Sequence, residues 1–357
     1  MSEKVQEVII WMGGNGKDMT ERVNKIKDKK DRHVTVLLDE AVESLDIQEG
    51  DVIIDATLGA GGHTLKILEK IGRTGKVIAF DLDKQAIEEF IDVNGLEMES
   101  MGNIFTGLEG RLILVNDNFK NIQDILDSLY ARGGIKIAKV DGILADLGWR
   151  IEQIQDERYG MSFQSEMTLD MRMSPETQKL TAREIINEWG EEELADIFRE
   201  LGGEAYFDSK KIAKKIIDER VKGEINSTIQ LVELITGVKA NIKVGINPAT
   251  KVFQALRITV NKELSNLNIF LESSFDGLKS KGRLVVISFH SLEDRLVKKF
   301  FRAKARGCVC PKELPMCVCH SEKRAKVIRR RAIKESDEVL KDNPRARSAR
   351  MRVLEKK

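Results

Sequence analysis

Short apolar runs alternate with segments of helical periodicity, and this alternation constrains the fold more than any other feature of the 357-residue chain. The runs are rich in Val, Ile and Leu, and they lie at 51–56, 75–81, 112–115 and 140–146. Strands of this composition, separated by helices, are typical of a parallel sheet that is covered on both faces. The sequence therefore predicts an α/β fold.

The middle of the chain has a different pattern. From about residue 154 to 243 the helical period dominates, and no convincing apolar strand is present. Strand-like runs return at Arg283–Ser288 and Ala349–Leu354. An α/β domain interrupted by a helical insertion explains this order. The predicted divisions are an N-terminal extension (1–32), a discontinuous core (33–153 and 244–357) and an inserted helical domain (154–243).

Composition excludes several classes of protein. No apolar run approaches the roughly 20 residues of a membrane span, and Val8–Met12 is too short for the core of a signal peptide. The four cysteines lie close together near the C-terminus, which does not suit a secreted disulfide framework. These features predict a cytoplasmic protein that does not enter a membrane.

Charge is distributed unevenly along the chain, although the net charge is only +1. From Arg295 to Lys357 there are 21 Lys and Arg residues against 7 Asp and Glu residues. A basic end on an otherwise acidic protein favours an anionic partner, and nucleic acid is the commonest large one. A solvated, charged helix followed by a tail would give the same composition.

A glycine-rich turn follows the first apolar run and opens a helix. Gly59, Gly61 and Gly62 allow a tight turn and close approach of a ligand, while Asp81 ends the next strand, where a carboxylate can bind ribose hydroxyls. The dinucleotide fingerprint needs a sixth-position glycine, where this chain has Thr64. Asp55, beside the turn, suits a cationic ligand. These residues favour S-adenosylmethionine over NAD, and a purely structural turn remains the alternative.

Six stretches, in order from about His33 to the end of the chain, resemble the RsmH (MraW) family of bacterial 16S ribosomal RNA cytidine N4-methyltransferases. They are Gly59–His63, Asp141–Gly148, Thr168–Met173, Asn247–Ile258, Ile287–Arg295 and Asn343–Ser348. The resemblance implies a Rossmann-like, S-adenosylmethionine-dependent methyltransferase sheet with an inserted helical domain. It also implies methylation of a cytidine N4 amine in the decoding region of the small-subunit rRNA. The small ribosomal subunit and its 16S rRNA would be the partners.

The resemblance also implies a set of cofactor contacts. Carried over by position, they are Gly61, Gly62, His63, Asp81, Phe119, Asp146 and Gln153. The chain departs from the family after Gly148, where Trp149-Arg-Ile-Glu replaces the usual Val-Ser-Ser-Pro, and at Tyr159, which stands where Arg is usual. This altered segment keeps open a second hypothesis, a non-catalytic RNA-binding or ribosome-assembly factor that retains the fold.

Two residues are candidates for catalysis. The cytosine amine is a poor nucleophile, so the enzyme must hold it in line with the methyl group. Asp146 follows the fourth apolar run, where its carboxylate could accept the amine N–H or only orient the loop. His290 follows the Arg283–Ser288 run at the ligand-binding rim of the sheet, where it could contact RNA, accept a proton or serve only structure. Methylation at cytosine carbon 5 is disfavoured, because no cysteine lies near Asp146 in the sequence.

Candidate RNA contacts are basic or polar residues in the C-terminal half. Arg257 and Asn261 are one helical turn apart and share a face of the predicted helix Phe253–Leu264. Arg295, Arg345 and Arg347 could hold phosphates. The cysteines Cys308, Cys310, Cys317 and Cys319 could hold a structural zinc ion, although zinc sites more often use two-residue spacers and free thiols are the alternative.

Overall fold

The computed structural model describes residues 35–133, 137–149, 153, 156, 159–162, 166–239, 247–307, 310, 319 and 322–357. The predicted N-terminal extension, 1–32, lies outside these residues. The chain divides into two compact units. The first combines the residues up to Leu147 with Phe270–Lys357, and the second is Gly148–Ile269. Each unit is described by itself below.

The first unit is built on a sheet that has nine strands among the described residues, in the order β3-β4-β5-β2-β1-β6-β7-β9-β8. The strands are β1 (Val52–Asp55), β2 (Lys76–Asp81), β3 (Met98–Met101), β4 (Ile104–Gly107), β5 (Leu112–Asn116), β6 (Val140–Asp146), β7 (Leu278–Ser288), β8 (Ala325–Val327) and β9 (Arg350–Lys356). The five central strands β5-β2-β1-β6-β7 are parallel. The outer strands on both edges pair antiparallel.

The helices accompany the strands in the first unit and dominate the second. Those of the first unit are α1 (Leu38–Ser44), α2 (Gly62–Lys70), α3 (Lys84–Asn94), α4 (Ile122–Gly133), α11 (Ser291–Ala305) and α12 (Asp337–Asp342). Those of the second are α5 (Ala182–Glu188), α6 (Glu191–Glu200), α7 (Tyr206–Arg220), α8 (Thr228–Val238) and α9 (Thr250–Asn261). The boundary between the units falls within α10 (Glu263–Gly277).

The central strands are buried along almost their whole length, which is why they appear in the sequence as continuous apolar runs. Val77, Ile78, Ala79 and Phe80 of β2 are fully buried, so both faces of this strand are covered. The chain runs outward from β1 toward β5 on one side and through β6 to β7 on the other. The strand order therefore reverses beside β1, where ligands bind in open α/β sheets. The predicted α/β sheet is confirmed.

The second unit is a helical cluster with its own core. Capping boxes at Thr181 and Ser227 begin α5 and α8. Helix α9 packs Phe253 and Leu256 into this core. The helical unit consequently extends to Ile269, whereas the sequence places the end of the insertion at residue 243. Across the described residues, no helix combines the length and the apolar character that a membrane crossing needs.

Candidate active site at the carboxyl ends of the parallel strands

Four polar side chains stand where central parallel strands end. Asp55 ends β1, Asp81 ends β2, Asn116 ends β5 and Asp146 ends β6. Because these strands are parallel and adjacent, their carboxyl ends meet at one edge of the sheet. This edge is the candidate active site.

The glycine turn after β1 depends on its glycines for conformation and for space. Gly59 and Gly61 adopt positive φ angles of 54° and 80°, in the left-handed region that favours glycine. A Cβ on Gly61 would lie 2.0 Å from Cε2 of Phe90, and one on Gly62 would lie 2.1 Å from Oγ1 of Thr35. The turn therefore brings bare main chain to the start of α2, as the sequence pattern predicts.

Asp55 is a fully buried carboxyl group at the base of this turn. Its Oδ2 accepts a hydrogen bond from Thr64 Oγ1 at 2.7 Å, and its Oδ1 accepts one from the Thr57 amide at 3.2 Å. Burial raises the pKa of Asp55 to about 7, and the charge of Asp81 acts in the same direction against the two hydrogen bonds. The threonine that breaks the dinucleotide fingerprint is thus the hydrogen-bond donor that Asp55 requires.

Asp81 ties the glycine turn to the end of β2. Its Oδ2 accepts a hydrogen bond from the Gly59 amide and its Oδ1 accepts one from the Asp83 amide, both at 2.9 Å. Asn116 donates to the Asp81 carbonyl at 3.1 Å and so joins the ends of β2 and β5. These bonds fix the Asp81 carboxylate at the edge of the sheet, beside the glycine turn.

Asp146 is the least satisfied carboxylate at this edge. Its backbone amide donates to Thr57 Oγ1 at 2.7 Å, which fixes the end of β6 against the glycine turn. Its Oδ1 is sealed from solvent and has no hydrogen-bond partner among the described residues. Burial raises the pKa of Asp146 well above its ordinary value, and the charges of Asp55 and Glu293 raise it further. A buried, unpaired carboxylate oxygen at a strand end is typical of a functional group.

His290 stands between the end of β7 and the start of α11. Glu293 Oε2 accepts hydrogen bonds from the amides of Phe289 and His290, at 3.0 and 3.3 Å, and so holds this connection. His290 Nε2 lies 3.1 Å from Glu293 Oε1, but the two are not aligned for a hydrogen bond. Both ring nitrogens are buried without a hydrogen-bond partner in the described part of the chain, so the neighbouring loops do not satisfy this imidazole.

Two other predicted cofactor residues have definite surroundings in the first unit. His63 is buried in α2. Burial lowers the pKa of His63 to about 4, and a hydrogen bond with the Val36 backbone only partly opposes this effect. The imidazole is therefore neutral at physiological pH. Phe119 opens a short turn after β5 and packs edge-on against Phe270, with 4.9 Å between ring centroids and 71° between planes. Its role beside a cofactor stays a prediction.

The second unit holds three of the predicted site residues. Gln153 is buried there. Arg257 donates two hydrogen bonds to the carboxylate of Glu263, at 2.9 and 3.1 Å. Asn261 is only 4% exposed; it donates to the Met171 carbonyl and accepts from the Met173 amide. Arg257 and Asn261 have internal partners because α9 turns this face toward its own unit, which does not support the predicted RNA contact.

The basic C-terminal residues are more accessible. Arg295 on α11 and Arg347 in the turn before β9 are exposed. Arg345 lies in the same turn as Arg347, and its side chain lies outside the described residues. Of the four cysteines, Cys308 and Cys317 also lie outside them, while Cys310 and Cys319 are half-buried. The zinc site therefore gains no support and remains a sequence-based prediction.

Sequence reasoning gave no role to three residues that hold this site together, Thr57, Asn116 and Glu293. Thr57 and Asn116 act through contacts with chain segments that are distant in sequence, which no local pattern announces. Glu293 had a usable signal, because it lies three residues after His290, the residue just before the first turn of α11, and this is the spacing of a capping box.

The chain is similar to known proteins over most of its length. The model of the MraW methylase family matches residues 30–357. "Ribosomal RNA small subunit methyltransferase H" of Caldicellulosiruptor saccharolyticus is 41% identical, over 91% of this chain and 99% of the relative. The protein of that name from Carboxydothermus hydrogenoformans is 42% identical, over 91% and 97%. A solved structure titled as a putative rRNA-methylase from Clostridium thermocellum matches 91% of this chain and 100% of the solved chain, at 12% identity and a TM-score of 0.40. The resemblance in the sequence is confirmed: the chain belongs to the MraW methylase family.

Proposed function

We propose that this chain is an S-adenosylmethionine-dependent methyltransferase that methylates the N4 amine of a cytidine in the decoding region of the small-subunit (16S) rRNA, in the cytoplasm. The observation that carries the proposal is the unpaired, buried Oδ1 of Asp146 at the sheet edge that also presents the glycine turn. Membership of the MraW methylase family supports methyl transfer, and the names of the relatives support small-subunit rRNA as the substrate.

The residues at the sheet edge fit the proposed cofactor. Asp81 would accept hydrogen bonds from the ribose hydroxyls, and the turn at Gly61 and Gly62 would approach the amino-acid part. Asp55 suits a cationic ligand, because a positive charge nearby stabilises its ionised form. Phe119, His63 and Gln153 are proposed as further contacts on the family resemblance. When bound, this cofactor supplies an electrophilic methyl group on a sulfonium.

Asp146 is proposed to act on the acceptor amine. The N4 lone pair is delocalised into the cytosine ring, and a carboxylate that accepts an N–H bond from the amine helps to localise it. As the N–C bond forms, the amine acquires a positive charge and must lose a proton. A carboxylate whose pKa is raised is a better acceptor for that proton than an ordinary one. His290 has unpaired ring nitrogens and is proposed as a second acceptor or an RNA contact.

The basic C-terminal segment is proposed to bind phosphates of the rRNA. The exposed arginines Arg295, Arg347 and Arg329–Arg331 support this role. From Arg295 onward, 21 basic residues stand against 7 acidic ones, which also favours binding to phosphates. Arg345 is included on its position in the turn that carries Arg347.

The variant Asp81→Ala should weaken S-adenosylmethionine binding about 10- to 100-fold, because hydrogen bonds to a charged acceptor contribute about 1.5–3 kcal/mol. It also removes the acceptor that holds the Gly59 amide. Isothermal titration calorimetry would measure the change, with Asp92→Ala, on the exposed side of α3, as the matched control. Equal affinity in the two variants would contradict the assignment of Asp81.

Methyl transfer can be tested directly with tritiated S-adenosylmethionine and small ribosomal subunits from a strain that lacks the family's enzyme. Digestion to nucleosides should then place the label in N4-methylcytidine. Label in another nucleoside would overturn the N4 assignment. Cofactor binding without transfer would favour the assembly-factor hypothesis, which rests on the altered segment that begins at Trp149.

A further inference from the structure

Helix α7 of the second unit begins with two exposed aromatic residues. Phe207 is 74% exposed and Tyr206 is 48% exposed. Large apolar side chains at this level of exposure gain little from folding, and when they cluster they commonly mark a binding surface. Neither residue belongs to the set assigned above to cofactor or catalysis.

Lysines extend this aromatic pair along one side of the helix. Lys210, Lys211 and Lys214 follow Phe207 at intervals of three, four and seven residues, so all four side chains share a face of α7. All three lysines are exposed. None forms an ion pair with a carboxylate among the described residues. Lys210 interacts chiefly with the side chain of Tyr206, and Glu192 and Glu191 at the start of α6 add a weaker favourable field there. We call the side chains of Phe207, Lys210, Lys211 and Lys214 the α7 face.

The opposite side of α7 shows that this arrangement is set by the fold. Ile212, Ala213 and Ile216 are at most 1% exposed and belong to the helical core. Because they fix the rotation of the helix, the lysines and Phe207 must point to solvent.

Tyr206 and Phe207 differ in the contacts that their rings make. Lys210 Nζ lies 4.9 Å from the centroid of Tyr206, and Arg199 Cζ lies 5.9 Å from it. These cations fix the Tyr206 ring. Phe207 packs edge-on against Tyr206, with 5.4 Å between centroids and 80° between planes. Because Phe207 is 74% exposed, most of its ring remains accessible to a stacking base.

We infer that the α7 face binds an unpaired segment of the RNA substrate, with Phe207 stacked on a base and Lys210, Lys211 and Lys214 on phosphates. This inference rests on the proposed function in taking RNA as the partner. An exposed aromatic ring beside exposed lysines that form no ion pair among the described residues is the combination that single-stranded nucleic acid requires, since every base has a flat face and every linkage a charge. Two neighbouring aromatic side chains beside lysines offer too little apolar surface for insertion into a membrane.

The α7 face offers the second unit a candidate RNA contact that α9 does not. Arg257 and Asn261, which the sequence suggests for RNA, are engaged with internal partners. Lys210 contacts the Tyr206 ring, but neither Lys211 nor Lys214 forms an ion pair among the described residues, so these lysines can exchange water for phosphate at little cost.

Stacking can be tested by fluorescence anisotropy with the full chain and a labelled, unstructured RNA of about 12 nucleotides. Phe207→Leu keeps the apolar character but removes the ring, so affinity should fall about tenfold. Phe207→Trp should bind within about twofold of the wild type, because it restores a flat ring. Val221→Ala, which shortens another exposed apolar side chain of the same unit, is the control and should bind unchanged.

The lysines are tested by the dependence of affinity on salt. A triple variant, with Lys210, Lys211 and Lys214 each changed to Gln, should lower the slope of log K against log salt by about two, since each phosphate contact on a single strand contributes about 0.7. Lys222→Gln, at an exposed lysine beyond the helix, should leave the slope nearly unchanged.

The inference is overturned if the wild type does not bind the RNA, or if Phe207→Leu and the triple variant bind it with wild-type affinity and salt slope. It is also overturned if the variants bind this RNA normally but bind the small subunit weakly, because the α7 face would then contact a protein. Failure of the proposed function has a different signature: the wild type would transfer no methyl group to the subunit, whatever the α7 variants do to RNA affinity.

Discussion

Asp146→Asn should lower kcat for methyl transfer by about 10²- to 10⁴-fold, the range expected when a positioned proton acceptor is lost. Asparagine has nearly the size of aspartate, so it fills the same space at the end of β6. It leaves the bond between the backbone amide and Thr57 intact. What it removes is the negative charge and the basic oxygen at the buried Oδ1 position. The affinity for S-adenosylmethionine should change far less than kcat.

The pH dependence of the same reaction gives a second readout. Only the ionised carboxylate can take the proton, and the pKa of Asp146 is raised by burial and by the charges of Asp55 and Glu293. The rate should therefore fall as the pH is lowered, at a pH well above the ordinary range of an aspartate, and this inflection should be absent in Asp146→Asn.

Asp141→Asn is the matched control, because Asp141 lies on the same strand near its opposite end. There it accepts a hydrogen bond from the Val52 amide and pairs with Lys279. This variant can cost stability but should retain kcat. If Asp146→Asn instead kept wild-type kcat and pH profile, Asp146 would only orient its loop, and another group would take the proton.

Much of the sheet could be predicted because its central strands are buried on both faces. The run 75–81 predicts β2 almost to the residue. The hairpin of β3 and β4 escaped prediction for the opposite reason. Most of β3 is exposed, so its residues Met98–Met101 carry no apolar run. An apolar run in the sequence indicates burial, so it reveals a strand only where that strand is buried.

The candidate site could be predicted in part. Asp55, Asp81 and Asp146 each follow an apolar run directly, so strand ends alone bring them to one edge. The hydrogen bond from Asp146 to Thr57 joins residues 89 apart in the chain. It depends on β6 lying beside β1, and no local pattern reveals that order. The sequence can indicate which residues stand at strand ends, but the pairing of strands decides which of them touch.

Helix α9 also shows what the sequence pattern cannot predict. The spacing of Arg257 and Asn261 predicts that they share a face, but not which way the face turns. In the structure it turns inward, toward Glu263 and Met171. Two departures from the family pattern, Trp149 and Tyr159, also meet in this unit, with 6.4 Å between their ring centroids. A contact of this kind cannot be seen when each substitution is considered alone.

Asp55→Asn should become progressively more stable than the wild type as the pH rises from about 4 to about 7. In the folded chain without ligand, the pKa of Asp55 is raised to about 7, from an ordinary value of 3.8. Between these values the folded state holds a proton that the unfolded state has lost, so rising pH favours unfolding. This difference in the pKa of Asp55 between the folded and unfolded chain corresponds to about 4 kcal/mol at most, fully expressed above pH 7.

The comparison must be between the two proteins, because His63 titrates in the same range with the opposite sign. Its pKa is lowered by burial from 6.5 to about 4, so it costs stability as the pH falls. Urea unfolding of wild type and Asp55→Asn from pH 5 to 8 cancels the His63 contribution and leaves that of Asp55. Asparagine can keep both local bonds, since its oxygen can accept from the Thr57 amide and the Thr64 hydroxyl can accept from its NH₂ group. If the difference in unfolding free energy did not vary with pH, Asp55 would already be ionised in the folded chain. Its attraction for a cationic ligand would then not depend on pH in this range.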